Sequence, residues 1–169
     1  LSRQVGSSLK MQDIADTAGI ATGTLYNYFK NKVELVTYVD QRLHYMILHK
    51  IDTVTNSQMT PDVKIRSLVR EILFFFKENH VVFDLAETLG IKDKIPAEEK
   101  REGIAQVHGC IERILAEGIE QGRFRKVPMN STAKYFFSAI IGVLEIRSWL
   151  QDYDMDQDAN ELAKFILAN

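Results

Sequence analysis

Between positions 22 and 28 the chain reads Thr-Gly-Thr-Leu-Tyr-Asn-Tyr, followed by Phe29, Lys30, Asn31 and Lys32. Hydroxyls, phenols and a carboxamide can hydrogen-bond phosphate oxygens or base edges. Lysines displace the cations that condense on a nucleic-acid backbone. On a helix Leu25 faces inward, which leaves Thr22, Gly23, Thr24, Tyr26, Asn27 and the Tyr28 hydroxyl outside. Thr24, or Asn27 through its amide, is suited to a base edge. Tyr26, Tyr28 and Lys32 are better placed to clamp phosphates on either side of a groove. Gly23 lets a backbone come close, and Gln12, from the element before, can add one contact.

Such a face is useful only if it is held rigidly. Two short helices crossing steeply through a tight turn need a small residue at the crossing, which is Ala15. They need a turn residue free to take positive φ, which is Gly19, four positions on. They also need an inward anchor on the second helix, Leu25, with Ile14, Ala18, Ile20 and Tyr28 expected to close the small core and Phe29 also spaced to point inward. The predicted helices run from Met11 to Ala18, with Ser8 as N-cap, and from Thr22 to about Phe29. Asn31 and Glu34 form a capping box that opens a long helix to about Thr55, striped by Leu35, Val39, Leu43 and Met46 or Ile47. The bland alternative is a helical hairpin with a solvated polar face. The coincidence of small–Gly–apolar spacing, an aromatic outer face and the capping box favours a helix-turn-helix.

The run Asp13-Ile14-Ala15, Ala18-Gly19-Ile20, Gly23-Thr24-Leu25-Tyr26, Phe29-Lys30-Asn31-Lys32 and Glu34-Leu35 resembles the N-terminal signature of the TetR family of bacterial transcriptional regulators. The resemblance covers about the first fifth of the chain. It implies an all-α protein in which a helix-turn-helix head, here residues 1–47, is joined by a long helix to an effector-binding and dimerisation body, residues 48–169. It also implies a cytoplasmic bacterial homodimer that binds a double-stranded DNA operator, associates with the nucleoid through it, and acts as a repressor released by a small molecule. The family's DNA-contacting positions fall on Gln12, Thr22, Gly23, Thr24, Tyr26, Asn27, Tyr28 and Lys32. The segment Glu117 to Arg125 looks like the break that precedes the family's dimerisation helices. Only nine residues precede Lys10 and Leu1 is not a natural start, so the family's first helix is expected to be incomplete here.

Composition agrees with a helical globule. The chain has 169 residues, 46% hydrophobic and 26% charged, with nine Gly and three Pro, enough apolar mass for a core and few turn formers. The net charge of −2 conceals an asymmetry: residues 1–32 carry four bases against two acids, and the rest carries 17 against 21. A weakly basic head on an acidic body suits a protein that touches an anion at one end. Cys110 is the lone cysteine, which excludes an internal disulfide framework and a multi-cysteine zinc site. The apolar stretch from Tyr135 to Leu150 is interrupted by Glu145 and Arg147 and falls short of the roughly 20 residues a membrane span needs. Leu1 to Lys10 lacks the apolar core of a signal peptide. No HExxH, ExxH, Walker, GxGxxG or nucleophile pattern occurs, so neither enzymatic chemistry nor a cofactor or metal is expected.

In the body, Thr60-Pro61 starts a helix to about Asn79, and a shorter one from Val81 to Leu89 stops at Gly90. Ile91 to Pro96 reads as a loop. A helix from about Ala97 to Gln121 carries the stripe Ile104, Val107, His108, Ile111, Ile114 or Leu115, and Ile119. Asn130 is expected to cap a helix from Ser131 to about Gln151 that is apolar almost all round, and Asp158 to Leu167 forms the last. Phe74, Phe75, Phe83, His108, Cys110, Phe137 and Trp149 are the candidates to line a mostly apolar pocket, although each alone is more often plain core. A hydrophobic or acyl-type effector, such as a long-chain acyl thioester, would suit it. One chain cannot cover the penultimate helix on every side. Phe136, Ile140, Leu144 and Arg147, with Leu162, Phe165 and Ile166 of the last helix, are therefore expected at a four-helix dimer interface. Two recognition helices about 34–36 Å apart or further would then read a palindrome. The competing class is a helical enzyme or lipid-binding protein whose first 29 residues are merely structural; sequence-specific duplex binding separates the two. An activator, or a regulator that takes no effector, stays open beside the repressor.

Overall fold

The structure, a computed structural model, describes residues 9–146 and 154–167, which form nine helices and no strand. In chain order these are α1 (Met11–Thr17), α2 (Thr22–Tyr28), α3 (Lys32–Thr55), α4 (Pro61–Glu78), α5 (His80–Thr88), α6 (Ile91–Lys94), α7 (Ala97–Glu120), α8 (Met129–Ile146) and α9 (Met155–Leu167). No helix among the described residues is long and apolar enough to cross a membrane.

The chain divides into two compact units. The first holds the described residues up to Tyr45 together with Asn79–Pro96; the second holds Met46–Glu78 and the described residues of Ala97–Asn169. α3 therefore begins in one unit and ends in the other, while α5 and α6 belong with α1 and α2.

Within the first unit, Met11, Ala15, Leu25 and Leu35 form the core beneath the two short helices, joined by the half-buried Ile14, Phe29 and Val39. A second cluster joins Val36 of α3 to Leu85, Ala86 and Ile91, with Leu9, Val33 and Leu89 at its edge. Burying one such leucine is worth about 1.5–3 kcal/mol, so few residues suffice to hold so small a unit. Ala18, Ile20 and Tyr28 do not close this core as the spacing suggested; all three are exposed. Leu25, Tyr28 and Phe29 are all spaced to point inward; Leu25 and Phe29 do, and Tyr28 does not. The chain leaves helical geometry there (φ −134°, ψ 118°), which turns the Phe29 ring under α2 and leaves Tyr28 outside.

In the second unit, Ile65, Leu68, Val69, Ile72 and Leu73 of α4 pack with Ile111, Ile114 and Leu115 of α7 and with the inner faces of α8 and α9. α9 packs chiefly against α4, and α8 against α7. The break after α7 is built around two glycines. Gly122 takes φ 68°, and the Arg123 and Phe124 N–H groups both donate to the Gly118 carbonyl at 2.8 and 3.0 Å. The buried Phe124 ring then lies where a Cβ on Gly118 would be. Three expectations for the body change. Ile91–Lys94 is a helical turn rather than loop, entered through Gly90 at φ 64°. Asn130 lies inside α8 instead of capping it, because the Pro128 carbonyl already accepts the Thr132 N–H at 2.9 Å. Ile104, expected on the α7 stripe, is exposed.

Candidate nucleic-acid interface

Gly19 sets the angle between α1 and α2. At φ 69° it sends the chain back, so that its own N–H meets the Asp16 carbonyl at 3.1 Å and the Ile20 N–H meets the Ala15 carbonyl at 3.0 Å. At the other end of α1, the Asp13 carboxylate accepts the Lys10 N–H at 2.8 Å. Lys10 is thus the capping position, and Ser8 lies outside the described residues. α3 opens as the capping box foresaw: the Asn31 Oδ1 accepts the Glu34 N–H at 3.0 Å, and the Glu34 carboxylate reaches back to the Lys30 N–H at 2.7 Å. The start of α1, the turn into α2 and the start of α3 are therefore each pinned by bonds to the backbone.

With Leu25 buried, Gly23, Thr24, Tyr26, Asn27 and Tyr28 all stand exposed; Tyr26 keeps 51% and Tyr28 74% of its surface in solvent. Gly23, Tyr26 and Asn27 lie three and four positions apart on one side of the helix, with Thr24 and Tyr28 beside them. Thr24, Tyr26, Asn27 and Tyr28 spend no side-chain hydrogen bond on the described residues, so their donors and acceptors remain for another molecule. Gly23 adds a separate signal. A Cβ built there meets nothing within 4 Å, and its φ is not positive, so neither packing nor backbone strain in this chain calls for glycine. Helix propensity argues against it by up to about 1 kcal/mol. Nothing within the described residues accounts for glycine at this position.

Gln12, Thr22 and Lys32 hold different places. The Thr22 hydroxyl donates to the Gln12 side-chain carbonyl, and the Gln12 amide donates to the Asp16 carboxylate at 2.8 Å. Gln12 thereby ties the first turns of α1 and α2 together. Lys32 is half-buried, its Nζ donating to the Leu9 carbonyl at 2.8 Å, and so anchors the chain entering α1. Sequence spacing shows which residues face out, but not these cross-helix bonds. The one sequence signal was a threonine opening α2 behind an alanine N-cap with no side-chain oxygen of its own. Tyr38, which the sequence reading passed over, stands exposed with its ring 5.5 Å from that of Phe29.

The candidate pocket residues are divided between the two units. Phe83 belongs to the first unit, where its ring meets His44 edge-on at 5.6 Å. In the second unit Phe75 and Cys110 are buried, while Phe74, His108 and Phe137 are half-buried. The Phe74 face carries Arg70 at 5.2 Å, and Arg113 reaches both the Cys110 thiol and Asp52 at 3.2 Å. Trp149 lies outside the described residues. A cleft of about 490 Å³ is lined by Thr55 to Thr60, Lys64, Glu117 and Gln121, with the Lys64–Glu117 ion pair at 2.7 Å among its lining residues.

Of the candidate interface residues, Phe136 and Ile140 of α8 and Leu162 of α9 are covered by their own chain, and Leu144 is half-buried. Arg147 lies outside the described residues, as do the side chains of Phe165 and Ile166. Away from that side α8 exposes Tyr135, Ile141 and Ile146 together with Lys134, Ser138 and Glu145, and a Cβ on Gly142, near Tyr135 and Ile146, would meet nothing within 4 Å. No group of three or more acidic, histidine or cysteine side chains is arranged to hold a metal among the described residues.

Comparison with known proteins follows the same division. The family model for bacterial regulatory proteins of the tetR family matches residues 4–39. A Haemophilus influenzae protein described as an HTH-type transcriptional regulator is 28% identical over 82 residues, which are 48% of this chain and 44% of that one. This chain thus matches less than half the length of that relative. Among solved structures, the TetR-family regulator PfmR of Thermus thermophilus aligns with a TM-score of 0.68 at 21% identity, covering 96% of this chain and 89% of its own. A Clostridium perfringens protein described as a putative fatty acid metabolism regulator aligns at 0.63 and 23% identity, over 96% and 89%. At these identities the structures speak for the fold.

Proposed function

We propose that this chain, which belongs to the TetR family of bacterial regulatory proteins, is a transcriptional repressor that reads an inverted repeat as a homodimer and leaves it when a small apolar effector binds. The observation that carries the DNA reading is the unpartnered face of α2, in which Gly23, Thr24, Tyr26, Asn27 and Tyr28 stand outward from a pinned helix-turn-helix. In a major groove about 12 Å wide, the Asn27 amide is suited to an adenine edge, the Thr24 hydroxyl to either kind of base pair, and the two phenols to flanking phosphates. Gln12, Thr22 and Lys32 act as the frame that keeps this face in register.

Dimerisation is supported by α8. Tyr135 and Ile146 stand exposed on the strip of α8 that holds Gly142, where the missing side chain lets another helix come close, with Ser138, Glu145 and Lys134 bordering that strip. A second copy of the same helix satisfies both features. Its contact face is then this outer side and not Phe136 and Ile140.

The effector reading rests on the second unit and on one solved relative. Phe74, His108 and Phe137 keep part of their surface open, and the Clostridium perfringens relative is described as a putative fatty acid metabolism regulator. α3 supplies the covalent route to the head, since its first turns lie in one unit and its last in the other. To move the population from 99:1 DNA-competent to 1:99, an effector must prefer the incompetent state by about 10⁴-fold.

The test is a titration of the full chain against duplex DNA at several salt concentrations. Preference for one inverted repeat over random duplex, lost in Asn27→Ala and in the monomer expected of Gly142→Leu, supports the proposal. Equal binding to all duplexes at every salt concentration refutes it. A long-chain acyl thioester should release the bound duplex; retention at saturating thioester removes the effector from the account.

A further inference from the structure

Asp40 of α3 has 0% of its surface exposed, and neither of its carboxylate oxygens has a hydrogen-bond partner. Its neighbours along the helix show what covers it. One turn earlier, Val36 packs with Leu85 and Ala86 of α5 and Ile91 of α6. One turn later, the His44 ring meets the Phe83 ring of α5. Asp40 therefore lies in the seam between α3 and the segment Asn79–Pro96. The charged groups that act on it are His44 of its own helix and Lys92 of α6. His44 Nδ1 is 3.5 Å from Asp40 Oδ2 but 2.9 Å from the Asp40 backbone carbonyl, so the ring's closer bond is to the backbone. Lys92 in turn lies 3.4 Å from Glu87 of α5.

A seam of leucine, alanine, valine and isoleucine closes best on another apolar side chain. A buried carboxylate without partners weakens it, because water that solvated the charge is removed and nothing replaces it. Buried polar groups are normally satisfied, so this one calls for a reason. The position of the segment supplies one. Asn79–Pro96 is flanked in the chain by Met46–Glu78 and by Ala97–Asn169, so it is the stretch through which the chain of the second unit enters the first and leaves it again.

We propose that the seat of Asn79–Pro96 on α3 is a releasable clasp, with the Asp40 carboxylate as the group that gains water when the clasp opens. The clasp is a property of the first unit and stands whether or not α2 enters a DNA groove. Burial pushes the Asp40 carboxyl above its ordinary 3.8, with His44 and then Lys92 drawing it back. An acid raised in this way favours the closed seat while it is protonated. That contribution is complete below 3.8 and is lost as pH rises through the raised value, so the clasp loosens as pH rises.

Amide hydrogen exchange of the full chain, corrected at each pH for the intrinsic rate, tests this. In the wild-type chain, protection across Asn79–Pro96 should fall between about pH 4 and pH 8, while α4 and α7 hold theirs. In Asp40→Asn and Asp40→Leu, protection of the segment should be flat with pH and about tenfold higher at pH 8, the size expected for relief of one unsatisfied buried group. Equal protection in all three chains overturns the proposal. So does lower protection, or failure to fold, in both variants, since Asp40 would then be a contributor to the seat and not its weak point.

Discussion

Alanine at position 23 sets folding and recognition against each other. Gly23 is the second residue of α2, its φ is not positive, and the space where a methyl would stand is empty. In a helix interior glycine is worse than alanine by about 0.8–1.0 kcal/mol; near the first turn about half of that applies. Gly23→Ala should therefore raise stability by about 0.5 kcal/mol, which for a chain of this length is about 1–2 °C in Tm. The same methyl stands on the outward side, between Tyr26 and Asn27 and the molecule they are proposed to touch. Losing the fit of one base or phosphate contact costs about 1–3 kcal/mol, so affinity for the preferred duplex should fall about tenfold or more while the salt dependence of binding stays the same. Scanning calorimetry and anisotropy titration on one preparation give both numbers. A higher Tm with unchanged affinity would show that nothing approaches Gly23 and would refute the reasoning about the face. A lower Tm would show that the space is not open.

The remaining predictions concern the frame around that face and the body. Lys30→Ala should weaken binding to all duplexes alike and lower the salt slope by about one, since an exposed lysine beside α2 acts on phosphate charge and not on base identity. Gly118→Ala should cost about 2 kcal/mol or more in urea denaturation, because the new methyl would occupy the place of the buried Phe124 ring. Asp62 in the first turn of α4 is held below 3.8 by the Thr60 hydroxyl first, and also by its own backbone N–H and by Arg123, whose Nη1 donates to it at 2.8 Å. A lowered acid contributes stability above its ordinary value and loses it as pH falls through the lowered one. Asp62→Asn should therefore cost about 0.5–1 kcal/mol at neutral pH, as a largely surface pair does, and nothing in strong acid.

Local chemistry was legible in the sequence, and tertiary choice was not. Ala15, Gly19 and Leu25 announce the helix-turn-helix because each answers a steric demand that one residue type meets, and Asn31 with Glu34 announces the start of α3 because a capping box is complete within four residues. Tyr28 and Phe29 sit three and four residues after Leu25, and helical periodicity admits either as the inward residue. Only the extended backbone at Phe29 decides between them. The union of Asn79–Pro96 with the head comes from the packing of Leu85, Ala86 and Ile91 on Val36, about 50 positions away in sequence, which no local pattern encodes. α8 hides its faces for a related reason. A helix apolar almost all round does not reveal which side its own chain will cover, and α7 takes the side of Phe136 and Ile140. The Gln12–Thr22 bond joins residues ten apart across the turn and is visible only once the crossing angle exists.

The central claim is that the outward face of α2 enters a major groove, and methylation interference on the preferred duplex addresses it directly. The account predicts interference from methyl groups at guanine N7, in two patches related by two-fold symmetry and centred about one helical turn or more apart, and their disappearance in Asn27→Ala. Interference confined to adenine N3 in the minor groove, or a single patch without its symmetry mate, would contradict it.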